Sequence, residues 1–130
     1  MQRYLKDGHE LLEIEFDASE VKAYNQLFGI QPLTQVAPLF CAKLWPEFQL
    51  FQPFRYKNLI LRETEVQQLQ TLYVNERYHA HLYFLNQSKV RQFMKYTFKL
   101  EINKNREKCI SITQVFLEEI QNDAFYSRRS

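Results

Sequence analysis

Between residues 94 and 102 the chain alternates without a slip. Met94, Tyr96, Phe98, Leu100 and Ile102 are apolar, and Lys95, Thr97, Lys99 and Glu101 between them are polar. A period of two puts the first set on one face of a strand and the second on the other. Such a strand cannot stand alone, because its main-chain groups need neighbours and its apolar face needs a cover. The polar run 103–108 has hairpin-turn chemistry. Residues 109–118 supply the returning strand, with Ile110, Ile112 and Phe116 on one side. Residues 74–87 alternate too: Tyr78, Ala80, Leu82 and Phe84 face one way, and Arg77, His79, His81 and Tyr83 the other. Residues 59–69 are rich in β-formers but carry Arg62, Glu63 and Glu65. Four successive antiparallel strands follow, each with one solvated face.

The cover for the other face lies upstream. Residues 39–51 are apolar on most sides, which suggests a buried helix. Pro46 must kink that helix or split it into two short pieces, and Gln52-Pro53 closes it. Before it, residues 9–16 place Leu12, Ile14 and Phe16 on one face of a further strand. Asp17 is an N-cap with Glu20 three residues on. Val21, Tyr24 and Phe28 continue as an apolar stripe, and Gly29 ends that helix. Pro32 and Pro38 bracket a loop over 31–38. The order is strand, helix, buried broken helix, four strands. It predicts one α+β domain over residues 1–130: a curved antiparallel sheet wrapped around a central apolar helix, with a polar tail at 121–130 that frays.

Composition removes several function classes. Lys and Arg number 17 against 15 Asp and Glu, for a net charge of +2, so nothing points to nucleic acid or an acidic membrane. Two glycines leave no Gly-rich phosphate cradle. Cys41 and Cys109 form no disulfide framework and read as buried thiols in a reducing cytosol. No apolar run approaches the ~20 residues of a membrane helix. The polar first residues do not resemble a signal peptide. A soluble cytoplasmic protein without a cofactor is expected.

The order of elements resembles the hot-dog fold, and more narrowly its MaoC-like branch, the R-specific enoyl-thioester hydratase type. Three stretches carry the resemblance. Ala18 to Gly29 is similar to the helix that leads into the family's catalytic loop. Val36-Ala37-Pro38-Leu39-Phe40-Cys41-Ala42-Lys43-Leu44-Trp45 is similar to a segment of members that occur as N-terminal halves or accessory subunits. The third is the run of long strands from Leu59 to Glu118. The family's chemistry needs a loop of the type G-D-x-N-P-[LI]-H, whose Asp and His share a water at the thioester. Here the corresponding residues are Gly29-Ile30-Gln31-Pro32-Leu33-Thr34. Ile30 stands in the place of the acid and Thr34 in that of the histidine, and neither takes up a proton near neutral pH. The resemblance therefore implies a non-catalytic MaoC-like protein that binds or scaffolds an acyl-thioester or a similar apolar ligand. It also implies a dimer, either with itself or with another hot-dog chain. The strand over 74–87 is expected near the interface.

Other chemistry has a few candidates. Glu47 is the carboxylate within the apolar 39–51 segment. Some hot-dog thioesterases keep an acid at or beside the central helix, so Glu47 could serve as base or nucleophile. A second alternative is a hydratase subunit active only beside a competent partner. Phe40, Trp45 and Phe48, with Phe51, could line an acyl pocket, although aromatics there are more often plain core. His79 and His81 share a strand face and could begin a metal site. No spacing supports a third ligand from His9, Cys41, Cys109 or a distant carboxylate, so no metal is expected. Lys89, Arg91 and Lys95 could meet a phosphate, or simply border a solvated turn. Cys41 has only Lys43 as a basic neighbour and reads as core.

Overall fold

The computed structural model describes residues 3–6 and 8–120, so the tail at 121–130 lies outside the described residues. Among the described residues, eight strands, one α-helix and two 3₁₀ segments follow in order. The strands are β1 (Arg3–Lys6), β2 (His9–Glu15), β3 (Gln35–Val36), β4 (Leu59–Gln68), β5 (Leu72–Tyr73), β6 (Arg77–Val90), β7 (Phe93–Lys104) and β8 (Glu107–Glu119). Helix α1 spans Ala18–Phe28, and the 3₁₀ segments span Pro38–Glu47 and Gln49–Phe54. Six strands form one sheet in the order β1-β2-β6-β7-β8-β4, with every neighbouring pair antiparallel. The short strands β3 and β5 pair separately.

The period-two pattern sets the register. Leu82 lies opposite Leu100, and Leu100 opposite Ile112, so their side chains share the inner face. Tyr78, Ala80, Leu82, Phe98, Leu100, Ile102 and Ile110 are all buried there. The β7–β8 turn is two residues long. Asn105 and Arg106 both take left-handed backbone (φ 51° and 67°), as the tight hairpin with matching twist requires.

Helix α1 is capped as its sequence suggests. Asp17 Oδ2 accepts from the Glu20 N–H at 2.9 Å, and Gly29 ends the helix at φ 66°. Its inward stripe is narrower than expected. Val21 and Asn25 are the buried residues, one turn apart, while Phe28 is 61% exposed. Of the expected Val21–Tyr24–Phe28 face, Val21 is buried and Tyr24 packs against the core, and Phe28 is the departure.

The central segment also differs from the expected helix. It is two 3₁₀ stretches, broken at Phe48, whose backbone is extended (φ −90°, ψ 135°). Pro46 lacks an N–H and its ring crowds the preceding turn, so α-helical hydrogen bonding cannot continue through it. The second stretch runs through Pro53 to Phe54 rather than closing at Gln52-Pro53. The segment still covers the sheet, with Phe40, Cys41, Trp45, Phe48 and Phe54 buried. Phe54 stacks edge-on against Tyr96 at 4.8 Å and Phe98 at 5.1 Å.

Strand β6 pairs with β2 over Arg77–Tyr83 and with β7 along most of its length. The strand expected near the interface is thus covered by β2 only as far as Tyr83. Among the described residues, the outermost strands of the sheet are β1 and β4.

Candidate functional site

A cleft of about 290 Å³ opens between β2, the start of α1 and the first 3₁₀ stretch. Period two puts Leu12, Ile14 and Phe16 on its floor, and Phe40 and Leu44 form the facing wall. Phe16 and Phe40 meet edge-on at 6.1 Å. The rim is charged, and among the described residues it holds Glu15, Asp17, Glu20 and Glu47 with Lys43. Lys43 Nζ lies 3.6 Å from Glu20 Oε2 and 5.1 Å above the Phe40 ring. That exposed pair adds little stability, but it ties α1 to the central segment across the mouth. The Ser19 hydroxyl and the Glu20 N–H both donate to the Asp17 carboxylate and hold it below the usual carboxylate range.

The sequence candidates fall in different places. Phe40 and Glu47 both line the cleft. Trp45 and Phe48 do not. Trp45 packs against Phe51, Phe98 and Phe116 at 5.7 to 6.5 Å, and Phe48 is fully buried. Ile30 and Thr34 sit in the loop after α1, and neither lines the cleft. Asn25 pins that loop from the helix. Its Nδ2 donates to the Leu33 carbonyl at 3.2 Å and the Gln35 carbonyl at 2.7 Å. Burial pushes the Cys41 thiol up to about 12 and also raises Cys109, so neither is a ready thiolate. Lys89 and Lys95 lie on opposite faces of the β6–β7 hairpin, because Lys95 pairs with Ser88 and Lys89 with Met94. Lys89, Arg91 and Lys95 therefore present no single phosphate-binding face.

His79 and His81 lie on the outer face of the sheet, as the alternation required. Among the described residues no group of three or more His, Cys, Asp or Glu is placed to hold a metal ion. His9 comes to His81 from the neighbouring strand, with Nε2 2.9 Å from His81 Nδ1.

One inward residue was passed over in the sequence. Glu10 is fully buried, and its Oε1 accepts the Leu50 N–H at 2.8 Å. The signal was the same period of two: Glu10 precedes Leu12, Ile14 and Phe16 on one face. A second cleft, of about 480 Å³, lies at the far end of the sheet and includes Ile60, Met94, Tyr96 and Glu118. There the Tyr96 hydroxyl donates to Glu118 Oε1 at 2.7 Å. Burial and that carboxylate push the phenol up to about 12.

Comparisons with known proteins fit this architecture. The chain is similar to HtdX of Mycobacterium tuberculosis (TM-score 0.75, 17% identity), over 85% of this chain and 51% of that one. It thus spans about half of HtdX. It is similar to the M. tuberculosis HadBC (3R)-hydroxyacyl-ACP dehydratase complex (TM-score 0.65, 8% identity), over 88% of this chain and 92% of that one. It is also similar to the (R)-hydratase of A. caviae involved in PHA biosynthesis (TM-score 0.62, 16% identity), over 87% of this chain and 94% of that one. These are hot-dog proteins, and the fold of this chain is the hot-dog fold. In sequence, the chain is 45% identical over 118 residues to Protein VraC of Staphylococcus epidermidis, covering 91% of this chain and 98% of that protein. It is 36% identical over 118 residues to Protein VraC of Staphylococcus aureus, with the same coverage. The family model described as "Uncharacterised conserved protein VraC" matches residues 1–120. Among the described residues no helix is long and apolar enough to cross a membrane.

Proposed function

We propose that this chain, which belongs to the VraC family, is a non-catalytic MaoC-like hot-dog protein of the cytoplasm. On this reading it binds or scaffolds an acyl-thioester or a similar apolar ligand. The observation that carries the reading is the loop after α1, Gly29-Ile30-Gln31-Pro32-Leu33-Thr34, in which the resemblance to the hydratases puts Ile30 in the place of the acid and Thr34 in that of the histidine. Ile30 has no lone pair, and a threonine hydroxyl is no base near pH 7. The cleft beside Phe40 supports an apolar ligand, since its floor is Leu12, Ile14 and Phe16.

Assembly belongs to the same reading. Strand β4 is a ten-residue sheet edge with Ile60, Leu61 and Val66 exposed. An edge of that length is a template for another strand. The chain pairs there with a second copy or with another hot-dog chain.

A second reading has one observation in its favour. Glu47 lies on the rim of an apolar-floored cleft, a place where a carboxylate could act as base or nucleophile in a thioesterase. Incubation with a series of acyl-CoA thioesters, followed by melting and by thiol release, separates the two. Binding without turnover raises the melting temperature and releases no free thiol. Thiol release that Glu47→Gln abolishes would replace the binding reading with the thioesterase. No melting shift and no thiol release with any acyl chain would overturn both, leaving a structural dimer.

A further inference from the structure

Every histidine of the chain lies on the outer face of the sheet, and two of them touch. His9 of β2 and His81 of β6 lie two residues off register, diagonally on one face, with nitrogens 2.9 Å apart. Their rings are close to parallel, 15° between planes and 5.1 Å between centroids. Tyr83 stacks on His9 at 4.4 Å and 9°. We infer that the His9–His81 pair is a proton-gated clasp between β2 and β6, which opens the β1–β2 end of the sheet when both imidazoles are charged.

The hydrogen bond needs one N–H and one lone pair at the contact. A first added proton can sit on a ring nitrogen turned away from the contact, which leaves a charge-assisted bond in place. A second converts both contact nitrogens to donors, so the bond is lost and two like charges face each other. Such a pair titrates as a unit.

The surroundings act in the same direction. Burial, then His9, lowers the His81 pKa below its ordinary value, and His79 adds a smaller push. Glu101, opposite His81 on β7, pulls the other way. Its carboxylate is already engaged, 2.8 Å from Lys99 Nζ and 3.6 Å from Lys108 Nζ. Glu13, opposite His79, is bonded to Arg77 at 2.8 Å. On β1, Lys6 lies opposite His9 in register. A histidine whose folded pKa is lowered binds its proton more readily when unfolded. The clasp is therefore intact above the ordinary histidine value and weakens as pH falls through it. Because β2 alternates faces, His9 outside and Glu10 inside move together, and Glu10 holds the Leu50 N–H in the core.

Imidazole titration by NMR and amide exchange, corrected for intrinsic rates, test this. One paired imidazole should titrate below about 6.5. Protection of the β2 amides should fall about tenfold or more between pH 7 and 5, while the β7–β8 hairpin changes little. The His9→Gln/His81→Gln double variant should lose that pH dependence, and His79→Gln should keep it. Three independent titrations near 6.5 would overturn the clasp. So would the same pH-dependent loss of β2 protection in the double variant. If that variant does not fold, the wild-type titration decides alone.

Discussion

Two buried residues on the inner face test the packing directly. Trp45 is 6% exposed and meets three aromatic rings, from Phe51, Phe98 and Phe116. Truncating such a residue removes its transfer energy and leaves a cavity, a loss of roughly 3–5 kcal/mol. Trp45→Ala should therefore unfold the chain or lower its denaturation midpoint severely. A wild-type midpoint would mean that the segment does not cover the sheet. Glu10 poses a subtler question. Glu10→Ala leaves the N–H of half-buried Leu50 without the acceptor that holds it, at about 1–3 kcal/mol. Glu10→Gln keeps an oxygen in that position and should cost less. Equal losses in urea denaturation would show that the hydrogen bond contributes nothing of its own. Trp45 was visible in the sequence as an aromatic in an apolar segment. Glu10 was not, because a lone carboxylate ahead of a strand reads as solvated until its phase with Leu12, Ile14 and Phe16 is followed back.

At the scale of elements, the long strands were legible because period two survives any local detail. Strands β6, β7 and β8 lie within a few residues of the alternating runs at 74–87, 94–102 and 109–118. The central segment was legible as cover but not as geometry. Apolar content predicts burial, whereas Pro46 and Pro53 decide the hydrogen-bond pattern, and they favour two tight 3₁₀ stretches. Strand order was not legible, because pairing is a long-range choice. The strand expected near the interface, 74–87, has β2 as its neighbour on one side as far as Tyr83 and β7 on the other. Strand β4 now carries the assembly prediction. Light scattering at micromolar concentration should give a dimer, and Val66→Pro should shift it to monomer by removing a main-chain donor from the edge. A wild-type monomer would contradict edge pairing. A dimer untouched by the proline would move the interface to another surface.

Across the whole molecule, the fold follows from the chain's alternation and its apolar middle, while the proposed non-catalytic role turns on the loop after α1. Water addition to an enoyl-thioester needs an acceptor and a donor at the same water, help worth roughly 10²–10⁴ in rate. Ile30 supplies neither, and the Thr34 hydroxyl can hydrogen-bond but is no base near pH 7. His9, His79 and His81 lie on the sheet's outer face, with Leu12 and Ile14 of the cleft floor on the other. The most direct measurement is the enoyl absorbance of crotonyl-CoA incubated with the pure chain. The account predicts decay at the buffer rate. A steady, protein-dependent loss that survives repurification would contradict it, with Glu47 the first residue to replace.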